Sequence, residues 1–312
     1  MSDFKMVEIS EETLIKIQKL ELDILKEVDA ICRRNGIKYT LCGGSLLGAI
    51  RHKGFIPWDD DIDVSMLRED YDRFCEICKT ELDSEKYFLQ TTDTDPEYRF
   101  TYAKLLLNGT TYVRSGYEHM KYRTGIFIDI FPRDGVSDNP VLNTIQHTLG
   151  YMMRKILYSP MGAVRSPKAS ARFIFRILRH LPKSFPVKML SFIKWLNFNK
   201  ETDIVYCYGI MRNTEKRKLN MGKKKYREYK KSLKSETPQQ KKERKIRDSG
   251  LKRCYFKELT DMPFEDMKAM VTDHYDIWLE CNYGDYMKLP PEEKRKHHHT
   301  TSYYSLGKYE ND

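Results

Sequence analysis

From Ser10 to Arg34 apolar residues return at helical spacing, at Leu14, Ile17, Leu25, Val28 and Ile31. Ser10 suits the N-cap, and Glu11 and Glu12 suit the positive end of the helix. Asn35-Gly36 stops it, so a helix is predicted over 10–34. Shorter runs follow: a strand over Ile37–Cys42, then Gly43-Gly44, then a short helix over Ser45–Lys53 closed by Gly54. Asp61–Leu67 reads as a strand, Arg68–Leu82 as a helix, and Tyr87–Gln90 and Arg99–Leu107 as strands. Gly125–Pro132 is a strand that the proline should end. Beyond it the spacing turns helical, over 139–159, 168–180, 185–198 and 202–231. Ser232–Lys245 is polar, contains Pro238 and reads as a mobile loop or solvated helix; Met267–Asn282 closes the pattern as a helix. There is no internal repeat. The expected class is α+β, a mixed sheet with flanking helices followed by a mostly helical part, divided near the turn signal Asp134-Gly135.

Composition narrows the class. The chain has 312 residues and a mass of 37.1 kDa, enough for one large or two small domains with a full core and no disulfides. No apolar run approaches the ~18 residues of a membrane-spanning helix. The start, MSDFKMVEISEETL, lacks the basic and apolar regions of a secretory signal. Seven irregularly spaced cysteines then argue for reduced thiols and a cytoplasmic setting.

The net charge of +10 is unevenly spread. Residues 139–200 hold 11 Lys/Arg and no acid, and residues 212–253 hold 18 Lys/Arg against 5 acids. The remainder is net −14, so an acidic body carries two basic segments that ask for an anionic partner: nucleic acid, a membrane surface or a phosphorylated substrate.

Trp58-Asp59-Asp60-Asp61-Ile62-Asp63-Val64 places four carboxylates within five residues. On a strand, Asp61 and Asp63 share one face while Ile62 and Val64 take the other. Two such carboxylates ~4 Å apart repel by about 4 kcal/mol at an effective dielectric of 20. A divalent cation removes that cost, and hard oxygen ligands suit Mg²⁺ or Mn²⁺. The bland alternative is a solvated acidic turn. Asp129 is the second unusual acid, flanked on its strand face by Phe127 and Phe131. A carboxylate there needs a cationic partner or a metal. Two acids on one strand and a third on a later one match a two-metal phosphoryl-transfer layout.

Leu41-Cys42-Gly43-Gly44-Ser45 runs from strand through two glycines into a helix, which lets a phosphate approach backbone N–H groups. Ser45 is expected to cap that helix or to donate to the phosphate. Arg51 either contacts a phosphate or simply complements the helix C-terminus. A bare Gly-Gly-Ser is more often a tight turn.

The combination is more specific than its parts. Gly44-Ser45, Asp61-Ile-Asp63 and Asp129 between hydrophobic residues together resemble the DNA polymerase β-like nucleotidyltransferase superfamily. Within it, the run from Gly43 to Asp63, the run Gly125-Ile-Phe-Ile-Asp-Ile-Phe-Pro-Arg-Asp-Gly135, and Tyr283-Gly-Asp-Tyr-Met-Lys-Leu-Pro-Pro291 followed by His297–His299 resemble the LicD family. The resemblance covers about residues 10–136 and 255–300. With the charge pattern, the expected division is a catalytic core over 1–136, a basic acceptor- or membrane-facing region over 137–253 that matches no motif of the family, and a segment over 254–312 that packs back on the core. It implies transfer of a substituted phosphate, phosphocholine or an alditol phosphate, from a CDP-linked donor to a hydroxyl of a cell-surface glycan precursor, with release of CMP. Asp61, Asp63 and Asp129 match the family's metal ligands, and Gly43, Gly44 and Ser45 its phosphate loop. Lys104 stands where the family places a basic strand residue. Asp129 is then the candidate to take the hydroxyl proton, with Lys104 and Arg51 on the phosphoryl oxygens.

Other readings weigh less. Asp61-Ile-Asp63-Val fits the dehalogenase-type phosphatases, but those need a hydrophobic strand before the first Asp. A metal-dependent Asp-x-Asp glycosyltransferase stays open as an alternative enzyme. Cys75-x-x-Cys78 lacks the four ligands of a zinc site. A basic nucleic-acid-binding protein is the non-enzymatic alternative, and no recognition motif accompanies the charge. The acid-free stretch 139–200 instead suggests a basic amphipathic surface for an anionic membrane, placing the protein peripherally on the cytoplasmic leaflet beside a lipid-linked acceptor.

Overall fold

The computed structural model describes residues 6–195, 201–208, 227–237, 250–296 and 300–310. Its central feature is a mixed sheet flanked by helices, an α+β arrangement. Helix α1 (Glu11–Arg34) opens the chain, and Ser10 caps it by accepting from Thr13 N at 3.1 Å. Strand β1 (Thr40–Leu41) leads into α2 (Gly43–Arg51), then β2 (Ile62–Leu67) and α3 (Arg68–Glu81). Strands β3 (Tyr87–Gln90), β4 (Ala103–Leu107), β5 (Thr111–Arg114) and β6 (Phe127–Val136) complete the first half.

The main strand order is β1-β2-β6-β4-β3, with β2 and β6 parallel and the other neighbours antiparallel. Ile62, Val64, Ile128 and Ile130 are fully buried, and α1 and α3 pack against β6. The apolar stripe of α1, with Leu14, Ile17, Ile24, Leu25, Val28 and Ile31 all buried, covers the same core.

The helical stretch holds α4 (Pro140–Leu157), α5 (Ser159–Arg165), α6 (Ala169–Leu178) and α7 (Ser184–Trp195). Asn139 caps α4 through its Oδ1, which accepts from Val141 N and Leu142 N. A second, smaller core gathers Met153, Ile156, Leu157, Leu190 and Ile193 with Val136 and Tyr206.

Several expectations fail for physical reasons. Pro132 does not end β6, which runs on to Val136 through the expected Asp134-Gly135 turn. β4 pairs with β6 only as far as Ile130 and β7 (Ile204–Tyr206) begins at Asp134, so Pro132, opposite Met66 of β2, is paired by neither of these two strands. β7 replaces the start of the helix expected over 202–231, and residues 209–226 of that expectation lie outside the described residues. β7 is continued by β8 (Leu251–Lys252). Of the loop expected over 232–245, Leu233–Ser235 form one 3₁₀ turn and 238–245 lie outside the described residues.

Met267–Asn282 is not one helix. Met267–Thr272 is strand β10, paired with β9 (Leu259–Phe264) through a two-residue turn in which Glu265 has φ 53°. Only α8 (Tyr275–Tyr283) is helical. The chain finally returns as β11 (Thr301–Ser305), antiparallel to β5. No described helix is long and apolar enough to cross a membrane.

Candidate active site

Register builds the site. Asp63 on β2 pairs with Asp129 on β6, Asp129 with Lys104 on β4, and Lys104 with Gln90 on β3. Residues in direct register point to the same face, so one row of polar side chains crosses four adjacent strands. The opposite face at the neighbouring positions is the apolar core described above, which holds the row in place.

Asp61, Asp63 and Asp129 each offer a carboxylate oxygen, and these atoms lie within 4.8 Å of one another. Burial pushes the Asp63 carboxyl well up, and the charges of Asp61, Asp129 and Asp59 push it further. Carboxylates crowded and desolvated in this way are the donor set that a hard divalent cation neutralises. A second group, Asp59, Asp60 and Asp61, shows the same closeness. Asp59 is pushed up to about 8 by burial, then by Asp61 and Asp60.

The glycine turn lies directly on these acids. Gly43 has φ +59°, and a Cβ there would stand 2.8 Å from Asp63 Oδ2. At Gly44 a Cβ would stand 2.2 Å from Asp59 Oδ2. Both positions must lack a side chain for the loop to close on the carboxylates. Ser45 is the third residue of α2, not its cap, which is Cys42. Its Oγ accepts from Asp63 N at 2.8 Å and thereby fixes the start of β2 against the helix.

Lys104 Nζ donates to Asp129 Oδ1 at 2.5 Å and lies 3.2 Å from the centroid of the Phe127 ring. Burial pulls its pKa down to about 8, against the opposing pull of Asp129. The cation that Asp129 needed is therefore Lys104, and the metal geometry and the ion pair coexist at the same residue.

Arg51 lies elsewhere. Its Nη1 donates to Tyr286 O at 2.8 Å and its Nε to His52 Nε2 at 2.9 Å, so it ties α2 to the segment after α8. Arg114, at the end of β5, stands at the acids instead: its Nη2 donates to Asp61 Oδ2 at 3.3 Å, and its buried Nε has no partner among the described residues. Two further participants come from outside the motifs. Tyr112 donates to Asp60 Oδ2 at 3.1 Å and accepts from Thr301 Oγ1 at 2.9 Å, which joins the acidic loop to β11. Glu21 on α1 is buried, and burial together with Asp61, Asp60 and Asp59 pushes its carboxyl well up. Its signal was present in the sequence, because position 21 falls on the apolar stripe of Leu14, Ile17, Leu25 and Val28. Arg114 had no such signal, since it reaches Asp61 across 53 residues of sequence. His297–His299 lie outside the described residues.

Comparison with known proteins gives the family. Residues 36–166 match the family model described as LicD/FKTN/FKRP, nucleotidyltransferase domain. The lipopolysaccharide cholinephosphotransferase LicD of Haemophilus influenzae is 33% identical over 285 residues, which is 90% of this chain and 93% of the relative. An uncharacterized protein of Rickettsia typhi is 38% identical over 73 residues, 23% of this chain and 22% of that protein. The human ribitol 5-phosphate transferase FKRP is 57% identical over 35 residues, 11% of this chain and 7% of the relative. The chain belongs to the LicD family.

Proposed function

We propose that this LicD-family protein transfers phosphocholine from CDP-choline to a hydroxyl of a cell-surface glycan precursor and releases CMP. The observation that carries it is the row Asp63, Asp129, Lys104, with Asp61 and Arg114 beside it, at the end of a glycine turn. The near full-length likeness to a cholinephosphotransferase supports the head group.

Asp61, Asp63 and Asp129 would hold the divalent ion, Mg²⁺ or Mn²⁺, whose bound charge offsets that of the diphosphate and of the transition state. Lys104 and Arg114 orient the transferred phosphoryl group and stabilise its equatorial oxygens. Arg51, tied to Tyr286 O, acts indirectly by holding the segment after α8 against α2. The acceptor hydroxyl oxygen forms a bond to the choline-bearing phosphorus. The bond from that phosphorus to the bridging oxygen breaks, the electron pair leaves with CMP, and Asp129 takes the hydroxyl proton.

The acceptor is lipid-linked and met at an anionic membrane surface, with the protein peripheral on the cytoplasmic leaflet. Support comes from α4, α6 and α7, which expose Val141, Leu142, Phe173, Ile177, Phe192 and Trp195 within the acid-free stretch.

A thermal-shift panel tests the donor. With Mg²⁺ or Mn²⁺, CDP-choline and CMP should raise the melting temperature and UDP-sugars should not. Stabilisation by UDP-sugars without any by cytidine nucleotides would put the glycosyltransferase reading ahead.

A further inference from the structure

The polar row does not end at the acids. Gln90 is fully buried, and its Nε2 donates to Asp95 Oδ2 at 2.7 Å and to Arg123 O at 2.8 Å. Both amide hydrogens are thereby used, and Gln90 Oε1 is left without a partner among the described residues. Gln90 stands two strand spacings, about 10 Å, from Asp129, with Lys104 between them.

A cleft of about 140 Å³ opens over this end of the row. One water occupies roughly 10–15 Å³ on the same measure, so the cleft has room for a small head group. Phe100, Tyr102, Tyr117 and Tyr122 line it, and all but Tyr102 are only half-buried. The box is held from behind by ring packing: Phe100 against Tyr102 at 5.4 Å, and Tyr98 against both Phe100 at 5.3 Å and Tyr122 at 6.0 Å. The cations on the cleft wall are already directed. Lys104 faces Asp129, Arg114 faces Asp61, and Arg123 donates to Asn108 and lies over the Phe88 ring. The wall thus mixes cations, among them Arg114 with its unpartnered Nε, with aromatic rings and one fixed carbonyl oxygen, that of Gln90, behind which Asp95 is buried. Arg165 lies over one of the rings, Tyr117, at 4.9 Å.

We infer that this cleft is the donor's head-group site, in which Phe100, Tyr102, Tyr117 and Tyr122 enclose a quaternary ammonium while Lys104 and Arg114 hold the phosphate attached to it. This rests on the phosphocholine reading above and names the residues that select the head group. A phosphorylated quaternary ammonium offers a partner to both kinds of lining residue: its phosphate meets Lys104 and Arg114, and its cation meets the ring faces. A quaternary ammonium has no hydrogen to donate and is bound through ring faces and dispersion.

Calorimetric titration of the full chain with Mg²⁺ tests it, using CDP-choline, CMP and phosphocholine as ligands and tetramethylammonium chloride as competitor. Tyr122→Leu and Tyr117→Leu should weaken CDP-choline about tenfold each, the size expected of one lost desolvated ring face. CMP affinity should stay unchanged, and Tyr122→Phe should bind as wild type. Tetramethylammonium should compete with CDP-choline and not with CMP. Thermal melts identify any variant that fails to fold, and Tyr117→Leu, away from the Tyr98 stack, then carries the test. Equal weakening of CMP would make the cleft a base site and overturn the inference. So would unchanged CDP-choline binding in both leucine variants, with the transferase reading left standing. If wild type binds no cytidine nucleotide, that reading fails by itself. Phosphocholine binding then decides the cleft: retention by wild type and loss in Tyr117→Leu upholds it, and no binding overturns it.

Discussion

Replacing Asp61, Asp63 or Asp129 by asparagine removes one charge from a group whose oxygens crowd within 4.8 Å. Each variant should lose turnover by about a hundredfold or more, the scale of losing one preorganised charge at a phosphoryl site. In chelator-treated protein, Asp63→Asn should melt at or above the wild-type temperature, because Asp63 is destabilised by burial and by Asp61 and Asp129. Turnover near wild type in any of the three would remove that residue from the mechanism. At this scale the acids and glycines were legible because their chemistry is local: Asp61 and Asp63 share a strand face, and Gly43-Gly44 stand one turn away. Arg51 was left open between a phosphate and the helix end because its nearness in sequence said nothing of Tyr286, 235 residues on, whose carbonyl takes its guanidinium. Arg114 and Tyr112 stayed hidden for the same reason, since they reach the acids across 53 and 52 residues of sequence.

At the scale of elements, an ion pair anchors the strand extension beyond Pro132 to α3. Arg68, the first residue of α3, donates from Nε to Asp134 Oδ1 at 2.7 Å and from Nη2 to Oδ2 at 3.1 Å. Burial would raise the Asp134 carboxyl, but Arg68, with help from Lys194, holds it below the ordinary range. A lowered folded-state value means the pair contributes fully above the unfolded value, about 3.9. Its contribution is lost as pH falls from there through the lowered one. Arg68→Met should destabilise by about 3–5 kcal/mol near neutral pH, because it strands a buried carboxylate. It should also flatten the loss of stability below about pH 4, as read by urea unfolding across pH. A destabilisation under 1 kcal/mol would show that water or Lys194 replaces the arginine. Elements with one dominant period were legible, above all α1, β2 and α3. Met267–Asn282 was not, because Met270, Val271, Trp278 and Leu279 mimic helical spacing across a strand and a separate helix. Pro132 misled because its effect depends on which edge is paired at that residue, and a sequence does not carry that information.

Across the whole molecule, apolar exposure is concentrated. Phe173 and Trp195 are each 63% exposed, and Ile174 and Ile177 adjoin Phe173 on α6. The buried side of α6 is little more than Phe175, packed against Tyr158 and Gly162. An ordinary packed helix would bury that stripe, so the stripe expected from the sequence is real but faces outward. Arg172 donates to Ser166 O and Pro167 O, and Arg176 and Arg179 are exposed on the same helix. None of the three makes a salt bridge among the described residues. An apolar ridge beside arginines suits shallow insertion into anionic lipid. Each basic residue at such a surface contributes ~1 kcal/mol, so losing three should lower vesicle partitioning by about a hundredfold. Wild-type protein should co-sediment with phosphatidylglycerol vesicles at low salt, release as salt rises, and ignore pure phosphatidylcholine. The triple variant Arg172→Glu, Arg176→Glu, Arg179→Glu should stay in the supernatant while binding CDP-choline as before, since α6 contributes nothing to the Asp63–Lys104 row. Wild-type protein remaining in the supernatant at low salt would refute the membrane surface and leave the donor chemistry untouched, because no residue of α6 belongs to the acidic cluster or lines the cleft.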